Sequence, residues 1–199
     1  KNGKSEFYFN RSYYTESFIR SYVRDTLQGF SMNLTNGRDT SYAGMYVKGE
    51  KNGWWTASHR NEKEYYSAGK LKTRKLYNPN GTLTEEESWD ADSGLYFKEY
   101  FSNGRLYHSC YYDERRALHG KDEYFYDNGN RELTTTYIHG IEEGLAQGWY
   151  ENGVLRYRIT YQDNMREGKA ESFYESGKQF RVFYCHLDSY DGVYKEWSP

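Results

Sequence analysis

The chain has 199 residues, with 27 basic and 29 acidic side chains and a net charge of −2. The two signs are interspersed, so no basic stripe is present to neutralise phosphates, which argues against nucleic-acid binding. Only 36% of the residues are hydrophobic, as in many disordered chains, but the 20% aromatic content favours ordered β-structure with a thin core. No apolar run approaches the length that a membrane-spanning helix needs.

Residues 1–40 do not follow the repeat found further along, and we predict that they form a capping segment. The stretch "YYTESFIRSYVRDTLQGF" places apolar side chains at helical spacing, with Thr15 as N-cap and Gly29 as stop. An alternating strand over "FIRSYVR" explains the same residues nearly as well. The open end of a repeat sheet needs a cover in either case, and we favour a short helix or an irregular cap over residues 1–40.

Two stretches downstream, "YAGMYVKGEKNGWW" (42–55) and "EYYSAGKL" (64–71), resemble pieces of a repeat. The step from Gly69 to Gly81 is about half of the later repeat length. The spacing therefore leaves open which edge of a sheet Gly69 belongs to, and the register before Gly81 stays undetermined at this point.

From Gly81 onward, glycines recur in two interleaved series with steps of 23–26 residues. The first series is Gly81, Gly104, Gly129, Gly153 and Gly177, and the second is Gly94, Gly120, Gly144, Gly168 and Gly192. Between glycines the pattern has period two, as in "VLRYRITY", which is typical of a strand. The tripeptides "SNG", "DNG" and "ENG" provide tight turns. Each unit is therefore predicted to be a β-hairpin, with the second series marking the turns at the opposite edge.

The segments "YDNGNREL", "YENGVLRY" and "YESGKQF", with spaced G-x-x-x-x-[FW]-Y stretches between them, resemble MORN repeats. The resemblance covers residues 42–197 and is greatest to the bacterial variant of antitoxin-like and envelope-associated proteins. It implies an all-β fold over residues 41–199, an elongated single-layer antiparallel sheet of tandem hairpins with an aromatic-lined groove. It also implies binding of proteins, peptides or, in some eukaryotic members, membrane lipids. Arg131, Gln179 and Cys185 depart from the pattern.

Two aromatic columns precede the turn glycines and point to opposite faces of the sheet. The column four positions before is predicted to form the core: Tyr77, Tyr100, Phe125, Trp149 and Phe173. The column three positions before is predicted to line the binding groove, because tyrosine combines contact area with a polar tip: Phe101, Tyr126, Tyr150 and Tyr174. The alternative is that both columns only brace the sheet.

No catalytic residue, cofactor or metal site is expected. His108 and Cys110 share one strand face, but no third residue that would orient the imidazole is evident, so we favour a buried thiol beside a histidine. The other histidines lack a ligand spacing such as H-x-x-x-H: His59, His119, His139 and His186. Cys110 and Cys185 are separated by about three hairpins, roughly 30 Å, which is too far for a disulfide. We predict two free thiols.

These patterns predict a non-catalytic scaffold that binds a protein or peptide, in its most concrete form an immunity or antitoxin-type protein whose partner is a toxin. The alternative is a membrane- or envelope-associated adaptor of the MORN type, which the balanced charge weakens. The first residue is Lys1 and not Met. Both a cytoplasmic location and export after removal of an N-terminal segment are compatible with this start.

Overall fold

A computed structural model describes residues 3–11, 14–35, 39–90 and 93–198. Within these ranges the regular structure is β-strand, apart from one 3₁₀ turn at Ser58–Arg60, and the strand pairings within each unit are antiparallel. The predicted all-β fold of tandem hairpins is confirmed. The chain divides into two compact units, Lys1–Trp89 and Asp90–Pro199.

Strands of each unit pair mainly with their neighbours in sequence, because short turns bring each strand back beside the one before it. In the first unit they are β1 (Gly3–Arg11), β2 (Tyr14–Val23), β3 (Thr26–Leu27), β4 (Gly29–Thr35), β5 (Asp39–Val47), β6 (Glu50–Ala57), β7 (Glu62–Ser67), β8 (Lys70–Tyr77) and β9 (Leu83–Trp89). In the second unit they are β10 (Tyr96–Ser102), β11 (Arg105–Tyr112), β12 (Leu118–Phe125), β13 (Arg131–Ile138), β14 (Ile141–Glu142), β15 (Gly144–Trp149), β16 (Leu155–Gln162), β17 (Met165–Phe173), β18 (Gln179–His186), β19 (Ser189–Tyr190) and β20 (Lys195–Glu196).

The helix or irregular cap that we favoured within residues 1–40 is wrong, and the strand alternative is correct. Strand β2 lies between β1 and β4, with Phe18 opposite both Phe7 and Asn33. Its backbone groups are therefore used by the sheet on both sides. The chain turns at Arg24 and Asp25, which both have positive φ. Thr40 lies inside β5 and pairs with Leu34 of β4, and the domain boundary placed there stays a prediction.

Glycines of the first series lie in turns, as predicted. The amides of Gly129, Gly153 and Gly177 each donate to the carbonyl three residues earlier at 2.8 Å. Gly69 lies in a turn at the edge of the sheet opposite to the turns of the first series. Its amide donates to Lys51 O at 3.0 Å, and the Gly140 amide at the same edge likewise donates to the carbonyl of an earlier strand. The register before Gly81 is thereby settled.

The second glycine series does not mark turns at Gly120 and Gly168, and that prediction is wrong there. Both residues lie inside strands, at bulges where three residues face one on the partner strand. Their φ values of 103° and 77° are the left-handed backbone that such a bulge needs and that glycine adopts without strain. Turns and bulges both require a positive φ, so the presence of a glycine in the sequence does not distinguish a turn from a bulge.

The core of the second unit consists mainly of small side chains covered by aromatic ones. Five buried residues form the cluster: Ala146, Ile159, Ala170, Phe183 and Cys185. Tyr157 and Tyr161 pack against them. The predicted core column is wrong, since Tyr77, Tyr100, Phe125, Trp149 and Phe173 are all only partly buried. These rings lie next to the turns, whereas the buried alanines and cysteine lie inside the strands and are covered by neighbouring side chains.

Candidate functional site

Three of the four predicted groove residues form a ladder of hydrogen bonds between successive hairpins. The hydroxyls of Tyr126, Tyr150 and Tyr174 donate to main-chain carbonyls 23 residues further along, at 2.7, 2.9 and 2.7 Å. The acceptors are Trp149 O, Phe173 O and Trp197 O. Phe101 occupies the same position without a hydroxyl. We call the three tyrosines the tyrosine ladder.

The tyrosine ladder connects each repeat to the next through hydrogen bonds. The assignment of Phe101, Tyr126, Tyr150 and Tyr174 as binding residues stays a prediction. All four are partly buried, so part of each ring reaches solvent. Side-chain amides of the turns add further links, for example from Asn128 to Glu151 O at 2.8 Å. Polar groups that the sequence suggested for a partner are thus used within the protein.

Tyr150 also lines an open cleft of about 460 Å³ in the second unit, which we call the C-terminal cleft. The remaining lining residues come from strands β16, β17 and β18 and their flanks: Arg156, Tyr157, Arg158, Ile159, Tyr161, Ala170, Glu171, Ser172, Phe173, Phe180, Arg181 and Phe183. Aromatic rings and arginines therefore dominate its lining.

The position of the Tyr157 ring in the cleft depends on a glycine across the strand pair. Tyr157 faces Gly148, and a Cβ built at Gly148 would lie 2.4 Å from the ring. The ring therefore occupies the space that a side chain at residue 148 would need. Burial raises the pKa of Tyr157 and of Tyr161, so both hydroxyls stay protonated at neutral pH.

The charge of the cleft is positive. Its lining has three arginines and one carboxylate, Glu171, which Arg158 contacts at 2.5 Å and Lys169 at 2.8 Å. Burial opposes ionisation of Glu171, but the hydrogen bonds from Lys169 and Arg158 prevail and hold its pKa below the usual value. Arg156 lies 5.8 Å from the Tyr150 ring centre, and Arg181 lies 5.4 Å from the Phe183 ring centre. Among the described residues, Glu171 forms ion pairs with Arg158 and Lys169 and with neither of these two guanidinium groups.

The structure supplies the third residue that the sequence did not show beside His108 and Cys110. His108 Nε2 lies 2.5 Å from Asp122 Oδ1, since Asp122 faces Cys110 on the adjacent strand β12. The imidazole is stacked between Tyr100 and Tyr124, with ring centres at 5.0 and 4.1 Å. Burial opposes protonation, but hydrogen bonds to Asp122 and Cys110 raise the pKa of His108 to about 9.

This thiol, imidazole and carboxylate arrangement has the composition of a nucleophilic triad but not its accessibility. Cys110 is fully buried, with 0% of its surface exposed, and a nucleophile must reach the substrate. Cys185 is likewise buried, and both thiols are free, as predicted. Donor atoms of His108, Cys110 and Asp122 lie within 4.8 Å of one another, and those of Asp113, His119 and His139 do so as well. Neither cluster has a metal-ligand spacing that can be recognised in the sequence, because the members of each cluster come from different strands and turns.

The first unit contains a polar cleft of about 480 Å³, in which polar side chains bind to one another. Lys51 Nζ donates to Tyr42 at 2.6 Å and lies 4.5–5.0 Å from the ring centres of Tyr42, Trp55 and Tyr66. Both tyrosine hydroxyls donate to Glu64. Burial lowers the pKa of Lys51 and, with the Glu64 hydrogen bond, raises that of Tyr42. The cation is thus already surrounded by partners of its own chain.

Comparison with known proteins agrees with the hairpin geometry. A sequence profile described as MORN repeat variant matches residues 142–163, which include the Tyr150 turn and all of β16. This match and the tandem antiparallel hairpins fit a MORN repeat protein. Its repeats position the C-terminal cleft, because each hairpin contributes one strand pair and the tyrosine ladder fixes it to the next.

Solved structures and curated sequences add little to this assignment. One similar structure is a point mutant of S. aureus TarM in complex with fondaparinux, alpha-GlcNAc-glycerol and UDP, with 10% identity, a TM-score of 0.38, and 54% of this chain and 21% of that chain covered. A crystal structure of TarM has 11% identity, a TM-score of 0.37, and coverage of 53% and 22%. The chain therefore spans about a fifth of those chains. No curated protein matches it. Among the described residues, no helix is long and apolar enough to cross a membrane.

Proposed function

We propose that this MORN repeat protein is a non-catalytic scaffold that binds an acidic peptide segment of a protein partner in the C-terminal cleft. The observation that carries the proposal is the combination of an aromatic lining with an excess of arginine. Tyr157, Tyr161 and Phe180 offer contact area, while Arg156 and Arg181 supply guanidinium groups that pair with carboxylates. Arginine and tyrosine are also the residue types that dominate binding energy at protein interfaces.

A binding role is favoured over a catalytic one by the state of the ionisable groups in the cleft. Glu171 is held by Arg158 and Lys169, so it is not poised to take up a proton. No cysteine, histidine or serine other than Ser172 lies among the residues that line the cleft. Ser172 has no histidine among those lining residues to act as its base.

The test uses the purified full chain and fluorescent peptides that carry aspartate or glutamate next to phenylalanine or tryptophan. Matched peptides in which lysine replaces the acidic residues serve as the comparison. We expect the acidic peptides to bind more tightly, and Arg156→Ala and Arg181→Ala each to weaken binding by about tenfold. The exposed turn residue Arg115 provides the control, and Arg115→Ala should bind like wild type. Equal binding of acidic and basic peptides, or unchanged binding by both cleft variants, refutes the proposal.

The antitoxin version of the proposal is more specific: the acidic segment belongs to a toxin that the scaffold neutralises. It is supported by the resemblance of the repeats to the antitoxin-like variant, and it requires one stoichiometric partner. Co-expression with the product of an adjacent gene, followed by size-exclusion chromatography and a growth assay, tests it. A toxin partner should co-elute and lose its toxicity, and Arg181→Ala should weaken both effects. If neither effect is seen, the antitoxin version fails while peptide binding can still hold.

A further inference from the structure

We infer that Asp113, His119 and His139 form a binding site for a divalent transition-metal ion such as Zn²⁺ on the surface of the second unit. The three residues belong to different parts of two successive hairpins. Asp113 begins the turn after β11, His119 lies at the start of β12, and His139 lies in the turn after β13. A bound ion would therefore join two repeats at one edge of the sheet.

The geometry brings one donor atom of each side chain within 4.8 Å of the other two. Asp113 Oδ2 lies 2.7 Å from His139 Nδ1, and the two imidazole ring centres are 4.6 Å apart. Zinc–nitrogen and zinc–oxygen bonds are about 2.0–2.2 Å long, so the three donors need only small displacements to surround one ion. Two imidazoles and one carboxylate are a ligand set suited to Zn²⁺ and its neighbours in the first transition row.

Main-chain hydrogen bonds hold these ligands before any ion binds. Asp113 Oδ1 accepts the amides of Arg115 and Ala117 at 2.9 and 3.0 Å, which orients the carboxylate and leaves Oδ2 directed toward His139. The His139 amide donates to His119 Nδ1 at 3.4 Å. The two turns are also connected by the Gly140 amide, which donates across the hairpin at 2.7 Å. Such outer hydrogen bonds orient metal ligands and raise affinity.

Access and coordination number also suit an ion. The His139 side chain is 66% exposed, whereas that of Asp113 is 7% exposed, so the carboxylate forms the floor of a site that is open to water. Three protein ligands leave at least one position for a water molecule. The arginines of the same turn oppose a cation, but the guanidinium group of Arg116 lies over the Tyr96 ring at 4.2 Å. The remaining opposition comes from Arg115, which is exposed and therefore screened.

The second cluster of potential ligands, His108, Cys110 and Asp122, is the less suitable one. Cys110 is fully buried, and the His108 ring is enclosed between two tyrosine rings. An ion would have to displace these rings to enter. The cluster provides a useful contrast, because of the two clusters only this one contains a sulfur donor.

The experiment uses the full chain without a histidine tag, stripped of metal with a chelator. Titration with ZnCl₂ by calorimetry should give one site per chain and a rise in Tm with zinc concentration. His139→Ala should weaken zinc binding by about tenfold or more, because it removes one of three ligands. The matched control is His186→Ala. His186 is an equally exposed histidine paired with a carboxylate, Glu167, at 3.1 Å, but no second imidazole of the described residues joins it in a ligand cluster. It should bind zinc like wild type.

Cobalt distinguishes the two clusters. Co²⁺ in the proposed site has only nitrogen and oxygen ligands and should show weak visible absorption without a thiolate-to-metal charge-transfer band. The inference is overturned if zinc binding is absent in the wild-type chain, if His139→Ala and His186→Ala bind equally, or if a charge-transfer band appears and disappears in Cys110→Ala. Because exposed His139 contributes little packing, loss of binding in His139→Ala will not reflect unfolding, and circular dichroism of the metal-free variant verifies this.

Discussion

Removal of a single hydroxyl from the tyrosine ladder tests whether neighbouring repeats are held together by it. In Tyr150→Phe, the bond to Phe173 O at 2.9 Å is lost while the ring stays in place. An ordinary hydrogen bond contributes about 1 kcal/mol to the free energy of unfolding. For a chain of this size that corresponds to a fall in Tm of about 2–4 °C. Tyr150→Ala also removes the partly buried ring, roughly 100 Å² of apolar surface, which adds about 2.5 kcal/mol.

The assay is urea unfolding followed by circular dichroism, with Tyr174→Phe as a second member of the tyrosine ladder. Tyr111→Phe is the control, because the Tyr111 side chain is 38% exposed and its hydroxyl makes no hydrogen bond within the described part of the chain. We expect both ladder variants to be less stable than this control. If both unfold at the same urea concentration as Tyr111→Phe, the hydroxyls do not brace the repeats and the tyrosine ladder has no stabilising role.

Two further predictions concern the interior of the second unit. The raised pKa of His108 means that its pairing with Asp122 stabilises the fold fully below pH 6.5, and that this contribution, at most about 3 kcal/mol, is lost as the pH rises through 9. Unfolding measured from pH 6 to 10 should show this fall, and Asp122→Asn should flatten it; an unchanged slope contradicts the assignment. Gly148→Ala places a methyl group against the Tyr157 ring and should cost about 1–3 kcal/mol, with a smaller cost in a Tyr157→Ala background. Equal costs in both backgrounds would show that the contact is not responsible.

Local features of the chain were predictable because a hairpin is specified by residues close in sequence. The "DNG" and "ENG" turns at Gly129 and Gly153 require positive φ, and the alternation of "VLRYRITY" indicates a strand. The separation of Cys110 and Cys185 follows from the number of hairpins between them. The mistaken helix in residues 15–29 arose where apolar side chains occur on both faces of a strand. Periods of two and 3.6 then fit the same few residues.

Features that depend on the pairing of strands were not predictable. A bulge at Gly120 shifts the register of β12 against β11, and that register decides which residue faces Cys110. The residue is Asp122, so the partner of His108 lies 14 positions away without any recognisable spacing. The metal-ligand cluster was missed for the same reason, since His139 reaches Asp113 across 26 positions.

The sequence by itself determined the repeat length, the all-β hairpins, the tight turns and the two free thiols, because each follows from short-range backbone chemistry or from counting strands. Only the tertiary structure decided that the groove tyrosines hydrogen-bond to the next repeat, that small residues form the core, and that arginines gather around the C-terminal cleft. These properties depend on which strand faces which across the sheet. Bulges set that register, and no single repeat contains the information.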